Sequence, residues 1–243
     1  MIDDFYIGYD TPVPRQSRRL VFSVIALLLL VAVGLGGLLV AYQAPFADAV
    51  FAFGQREAFT GIVRIDPDPA LETPGDRVLL VGAGKHGATE LVRAFEGQRV
   101  RLEGALIRRG TQRMVEVAAA SITPIAKAMP DAAGSNVVSF GEATLEGEIV
   151  DGKCFLGVMN PAEGTVHRDC ARACLRGGLP PLFVVRTGGG SVTMALVSAE
   201  GRPVGALIAS WAGRPVSITG LLQLREPGHR WVLTADPQTI SAR

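Results

Sequence analysis

Two eight-residue stretches constrain this chain more than anything else in it. GQRVRLEG (Gly97 to Gly104) and GRPVSITG (Gly213 to Gly220) carry glycine, valine and glycine at the same relative places. Each follows a helix-like stretch, ATELVRAFE or GALIASWA, and each leads into a hairpin and a closing strand, MVEVAAASITPI or WVLTADPQTI. Upstream, FTGIV parallels LEGEIV, and RVLLVG parallels SVTMALV. Self-similarity of this kind means one architecture built twice. Each copy reads as four or five short alternating runs with glycine or proline turns and one short helix, a pattern that closes as a small sandwich or barrel. A helix between the third and fourth strands points to a five-stranded OB-type barrel. The expected fold is mainly β: two tandem OB-like domains at 55–126 and 140–243, joined by a linker at 127–139.

Ahead of the repeat lies LVFSVIALLLLVAVGLGGLLVA, Leu20 to Ala41, with no charge over 22 residues. As a helix it would span about 33 Å, enough for a bilayer core. Arg15, Arg18 and Arg19 precede it, and only Arg56 falls in the 20 residues after it. The positive-inside rule then sets residues 1–19 in the cytoplasm and everything beyond a 42–54 linker in the periplasm of a bacterial inner membrane. Ala47-Asp48-Ala49 offers a cleavage site, but the apolar run is longer than a signal peptide needs, so an uncleaved anchor is the expectation. In the tail, Phe5, Tyr6, Ile7 and Tyr9 present apolar surface on a segment too short to fold alone. They are candidate docking residues for an integral-membrane partner, the alternative being that they lie in the membrane interface. Gly34, Gly36 and Gly37 would let another helix approach closely but make no GxxxG.

Lys and Arg number 24 against 23 Asp and Glu and are dispersed, so nothing points to nucleic acid. One motif points to a nucleotide: RVLLVGAGKHGATELVRAF places Gly82, Gly84 and Gly87 as G-x-G-x-x-G between a strand and a helix. Three observations oppose a dinucleotide. The loop lies on the non-cytoplasmic side, where NAD is scarce. The second copy lacks the motif, and the first is too short for the two halves of a doubly wound sheet. The three glycines are expected to serve turns, and no NAD(P) is expected.

The copies differ in one place. From Gly61 to Gly97 is 36 residues and from Gly147 to Gly213 is 66. The excess is DGKCFLGVMNPAEGTVHRDCARACLRGGLPP, Asp151 to Pro181, which holds all three cysteines and one of the three histidines. TVHRDCARACLRGG reads as a helix with a Thr165 cap and a Gly177-Gly178 stop. On it His167, Cys170 and Cys174 stand at i, i+3 and i+7, on one face. Cys154, ending the strand EIVDGKC, can fold back across that face. Cys154, His167, Cys170 and Cys174 make a candidate Cys3His site for zinc or copper. Met159 or Asp151 would contribute, Asp151 rather by orienting a ligand. The competing reading is a disulfide from Cys154 to Cys170 or Cys174, the ordinary fate of cysteines outside the cytoplasm, with one thiol left over; a redox-active thiol is the third.

EIVDGKC, HRDCARAC and GGLPP, in that order, resemble a recurrent bacterial sequence type of membrane-anchored or exported OB-like proteins, closely over 145–185 and loosely elsewhere. The resemblance implies that Cys154, His167, Cys170 and Cys174 belong together and implies no activity. Elsewhere His86 and His229 read as surface residues, Trp211 and Trp231 as core, and Glu142, Glu146 and Glu148 as a solvated strand face. With no acid/base pair and no nucleophile motif, the chain reads as a non-enzyme. It is expected to be an accessory subunit of a membrane complex, respiratory or redox in kind. The alternative is a periplasmic metal-binding or electron-transfer protein, and a nucleotide-dependent enzyme is the remote one.

Overall fold

The computed structural model describes residues 15–42, 48–127, 136–188 and 190–243. The tail residues Phe5, Tyr6 and Tyr9 and most of the 127–139 linker lie outside them. Two units make up the chain, divided between residues 46 and 47. In the first, α1 (Arg15–Ala41) contains a stretch, Ser17–Ala41, long and apolar enough to cross a membrane. Its leucines and valines are uncovered by protein, Leu30 being 71% exposed. Its length and composition are those of a membrane anchor or of a signal sequence.

The second unit begins with a short strand, β1 (Ala49–Phe51). A first barrel follows: β2 (Glu57–Ile65), β3 (Pro69–Thr73), β4 (Asp76–Val81), the single turn α2 (Thr89–Val92), β5 (Gln98–Arg109) and β6 (Gln112–Val117). Strands β2, β3 and β4 form an antiparallel meander, β4 runs parallel to β6, and β6 and β2 flank β5 antiparallel, which closes the barrel. β1 and β7 (Thr123–Lys127) add to β5 from outside. The second barrel uses β8 (Val137–Asp151), then a helix of the insertion, α3 (Arg168–Arg176), then β9 (Pro181–Thr187), β10 (Gly190–Val197), α4 (Gly205–Ile208), β11 (Pro215–Arg225) and β12 (Arg230–Ala235). Its pairings repeat the first barrel's, including the parallel contact between third and fifth strands, here β10 and β12. A two-residue strand, β13 (Ser241–Ala242), ends on β11. The architecture is two five-stranded closed barrels of OB type, the second with a helical insertion.

The repeated octapeptide has a physical cause. Gly97 and Gly213 enter β5 and β11 with φ of +73° and +68°, a left-handed conformation costly for other residues. Seven residues on, a Cβ at Gly104 would stand 2.4 Å from the Glu116 carbonyl oxygen, and one at Gly220 2.4 Å from that of Thr234. Each barrel therefore needs glycine where its fourth strand crosses closest to its fifth. Between the glycines, Val100 and Leu102 face the first barrel's core while Arg99, Arg101 and Glu103 face out, and Val216 and Ile218 fill the second.

Three apolar clusters hold the unit together. Val63, Leu80, Leu102 and Val115 are among those filling the first barrel, and Ile149, Phe183, Ile218 and Leu233 the second. Trp211 and Trp231 pack, partly buried, against the latter. The third cluster joins the barrels: Ile107 and Met114 from one, Val150 and Leu182 from the other, and Cys154, Phe155, Leu156 and Cys174 from the insertion.

Candidate metal centre

The insertion replaces a three-residue link in the first barrel, Asp66 to Asp68, with the span from the end of β8 to the start of β9. Its ends are tied by the Gly152 amide donating to the Pro180 carbonyl at 2.9 Å. Cys154–Val158 then forms one wide helical turn. It passes so close to β1 that a Cβ at Gly157 would lie 2.5 Å from the Val50 carbonyl oxygen. The helix α3 is short and amphipathic: Ala171, Cys174 and Leu175 are buried, with Asp169 in its first turn and Arg176 in its last to complement the helix dipole.

Cys170 and Cys174, one turn apart, face Cys154. The three sulfurs lie within 4.8 Å of one another, and all three are free thiols. Cys154 and Cys174 are buried and Cys170 is half-buried. The histidine does not join this trio. The helix begins at Arg168 rather than at Thr165, so His167 sits at the cap, its carbonyl accepting the Ala171 amide at 2.9 Å. Its ring turns to a second acceptor: Nε2 is 2.9 Å from Asp151 Oδ2, with both residues buried. Asp151 Oδ1 in turn accepts the Cys154 amide at 2.8 Å. Asp151, Cys154 and His167 form a second close group that shares only Cys154 with the first. The single Cys3His set expected from helical spacing is thus resolved into two overlapping trios, because the residue before a helix does not follow the helix period and a buried carboxylate claims it. Met159, on the surface, is 43% exposed.

Two lysines that the sequence did not single out complete the surroundings, and both engage the glycine loop. Lys85, in the middle of GAGKHG, brings its ammonium beside the Cys170 thiol. Lys153, next to Cys154 and 3% exposed, donates to the carbonyls of Gly82 at 2.8 Å and Gly84 at 2.7 Å and pairs with Glu116 at 2.5 Å. All three of its protons have acceptors. The loop also meets the end of α3 backbone to backbone. The Gly87 amide donates to the Gly177 carbonyl at 2.8 Å. A Cβ at Gly87 would stand 2.2 Å from the Gly178 oxygen, and one at Gly177 1.8 Å from the Lys85 oxygen. The G-x-G-x-x-G spacing therefore serves a tight turn, Gly84 at φ +64°, and a contact that admits no side chain. His86 and His229 are exposed.

The thiols are not equivalent. Cys174 is shifted toward the thiolate, chiefly because Cys154 hydrogen-bonds to it, with Cys170 and the Lys85 charge in support and burial and Asp151 opposing. Giving that hydrogen bond, then burial and the Asp151 charge, pushes the Cys154 thiol up. Burial first, then the Cys174 charge, pushes Cys170 up against the pull of Lys85. The Lys85 ammonium is strengthened first by its bond to Cys170. A sulfur shifted toward the thiolate, backed by two more within reach, is a donor set for soft metal ions or a site for thiol chemistry.

No protein-family model matches the sequence, and no curated protein does. Among solved structures, the crystal structure of the tetrameric p202 HIN2 aligns with 82% of this chain and 97% of its own at 8% identity and a TM-score of 0.25, a likeness too slight to carry an argument.

Proposed function

We propose that this is a membrane-anchored protein of the bacterial inner membrane, with its barrels in the periplasm, that holds a thiophilic metal ion between Cys154, Cys170 and Cys174. The observation that carries the reading is the convergence of the three sulfurs within 4.8 Å. Monovalent copper suits the donors best. Structural zinc is almost always four-coordinate. The nearest further donors, on Asp151 and His167, group with Cys154 but not with the other two sulfurs, and they are engaged with each other. Cu(I) accepts a set of thiolates alone. Lys85 supplies a positive charge beside a cluster that becomes anionic when its thiols lose their protons to the metal. The anchor reading rests on Ser17–Ala41 and on the arginines before it.

One observation favours a second reading, a non-catalytic accessory subunit of a membrane complex. Cys154 and Cys174 belong to the apolar cluster that joins the barrels, where zinc or a disulfide would brace the scaffold. Competition for Cu(I) against bicinchoninate separates the two. The full chain, reduced and in mild detergent, should withdraw about one copper per molecule. Cys174→Ser and Cys170→Ser should abolish this, and His167→Gln should retain it. Copper left with the chelator, or withdrawn equally well by Cys174→Ser, would overturn the copper reading.

A further inference from the structure

A cavity of about 780 Å³ opens between the barrels, and none of the cysteines lines it. Two arginines in its wall have donors that no protein group meets. Arg77 has a side chain only 1% exposed, held by Glu72 at 2.7 Å and by the carbonyls of Asp66 and Asp68 at 2.7 and 2.9 Å. Its Nε, though buried, has no partner. Arg230 enters from the other barrel. Its Nε is also buried without a partner, and among the described residues its guanidinium has no hydrogen bond or ion pair. A buried donor left unmet costs about 1–3 kcal/mol. Neither Nε is open to the cavity, so the group that calls for an acceptor there is the terminal fork of Arg230.

The charges around them strengthen the case. Burial, then the like charge of Arg77, pulls Arg230 down to about 10 against the opposing charges of Asp66 and Glu72, so at neutral pH it is a cation whose burial is only partly offset. Of the carboxyls nearby, Asp68 offsets it weakly: burial pushes Asp68 up to about 7, against the pull of both arginines. Arg113, also in the wall, is already paired with Asp76. The remaining lining is largely apolar, including Leu79, Leu182, Val192 and the ring of Trp231. At one edge Gln112 bonds Thr193 across the two barrels, which fixes the walls relative to each other.

We propose that this cleft binds a small organic anion: a carboxylate or phosphate set against the Arg230 guanidinium, with the Arg77 charge behind it, carried on an apolar, ring-sized body that rests on Trp231 and the aliphatic wall. The volume is that of a small-molecule site. The rigidly held Arg77 adds positive charge behind the site, and Arg230, with no hydrogen bond or ion pair among the described residues, supplies the planar fork that suits either anion.

The test is calorimetric titration of the full chain in detergent with benzoate and with phenyl phosphate, each against a detergent blank, with inorganic phosphate alongside. Both aromatic anions should bind saturably at one site per chain, phenyl phosphate more tightly than inorganic phosphate. Arg230→Gln should weaken both about tenfold or more. Among the described residues Arg230 has no hydrogen bond or ion pair to lose, so this variant should melt near the parent. If it does melt lower, the Trp231 indole resonance of the unmutated protein decides, since it should shift on titration. Three results would each overturn the proposal: no heat above the blank, equal binding by Arg230→Gln in a folded protein, or inorganic phosphate binding as tightly as phenyl phosphate.

Discussion

The ammonium of Lys153 is almost wholly withdrawn from water, and each of its three contacts belongs to the first barrel: Gly82, Gly84 and Glu116. A buried charge is tolerated only when paired and fully hydrogen-bonded, and this one is. The cost of removing one partner of such a pair is roughly 3–5 kcal/mol, mostly from the charge left behind. Glu116 is 22% exposed, so Lys153→Ala should lower the unfolding free energy of the two-barrel unit by somewhat less, about 1–3 kcal/mol, in urea titration. Lys153→Met with Glu116→Leu should recover most of the loss, because no buried charge is then orphaned. A double variant as unstable as the single one would mean that Lys153 acts through its aliphatic stem. Asp151 works on the same scale: its two oxygens orient His167 and the Cys154 amide, and this places the first cysteine against the other two.

At the scale of elements, the glycine loop after β4 and the end of α3 make one joint. The first barrel thereby supplies a wall of a site whose cysteines all belong to the second. Gly177→Ala or Gly87→Ala would press a methyl group into facing backbone, and overpacking of that kind costs about 1–3 kcal/mol where the neighbours cannot yield. Both should loosen the joint and speed maleimide labelling of Cys170. Gly188→Ala, with open space about it and no left-handed φ, should leave labelling near the parent rate, and equal labelling in all three would contradict the joint. The duplicated barrel was legible in the sequence because the glycines at both ends of the repeated octapeptide answer to backbone geometry, which tolerates no substitute. The grouping of Cys154, Cys170 and Cys174 was legible because two lie one helical turn apart. The place of His167 was not, since the helix starts later than its cap residues suggest and the competing acceptor, Asp151, comes from a strand. Lys85 was beyond sequence reasoning: it lies 85 residues before Cys170 in number and belongs to the other barrel. Its glycine neighbours were conspicuous, but their spacing spelled a nucleotide loop, while in the fold it answers to another stretch of backbone.

For the whole molecule, the pieces describe two barrels cemented by an insertion that carries the thiols, following a helix suited to a bilayer. The insertion does two things at once. Phe155 and Leu156 bury themselves in the cluster between the barrels, and the same turn delivers Cys154 to α3. Metal loading and barrel docking are therefore expected to stabilise each other, since an ion that binds only the assembled site favours the assembled state. The most direct measurement is made on the full chain purified in detergent with whatever metal it carries: metal content, a thiol count after denaturation, and X-ray absorption at the edge of the metal found. The account predicts about one copper per chain, three titratable thiols, and a shell of sulfur alone. A chain without metal and with a single titratable thiol would contradict it, as would a shell containing nitrogen.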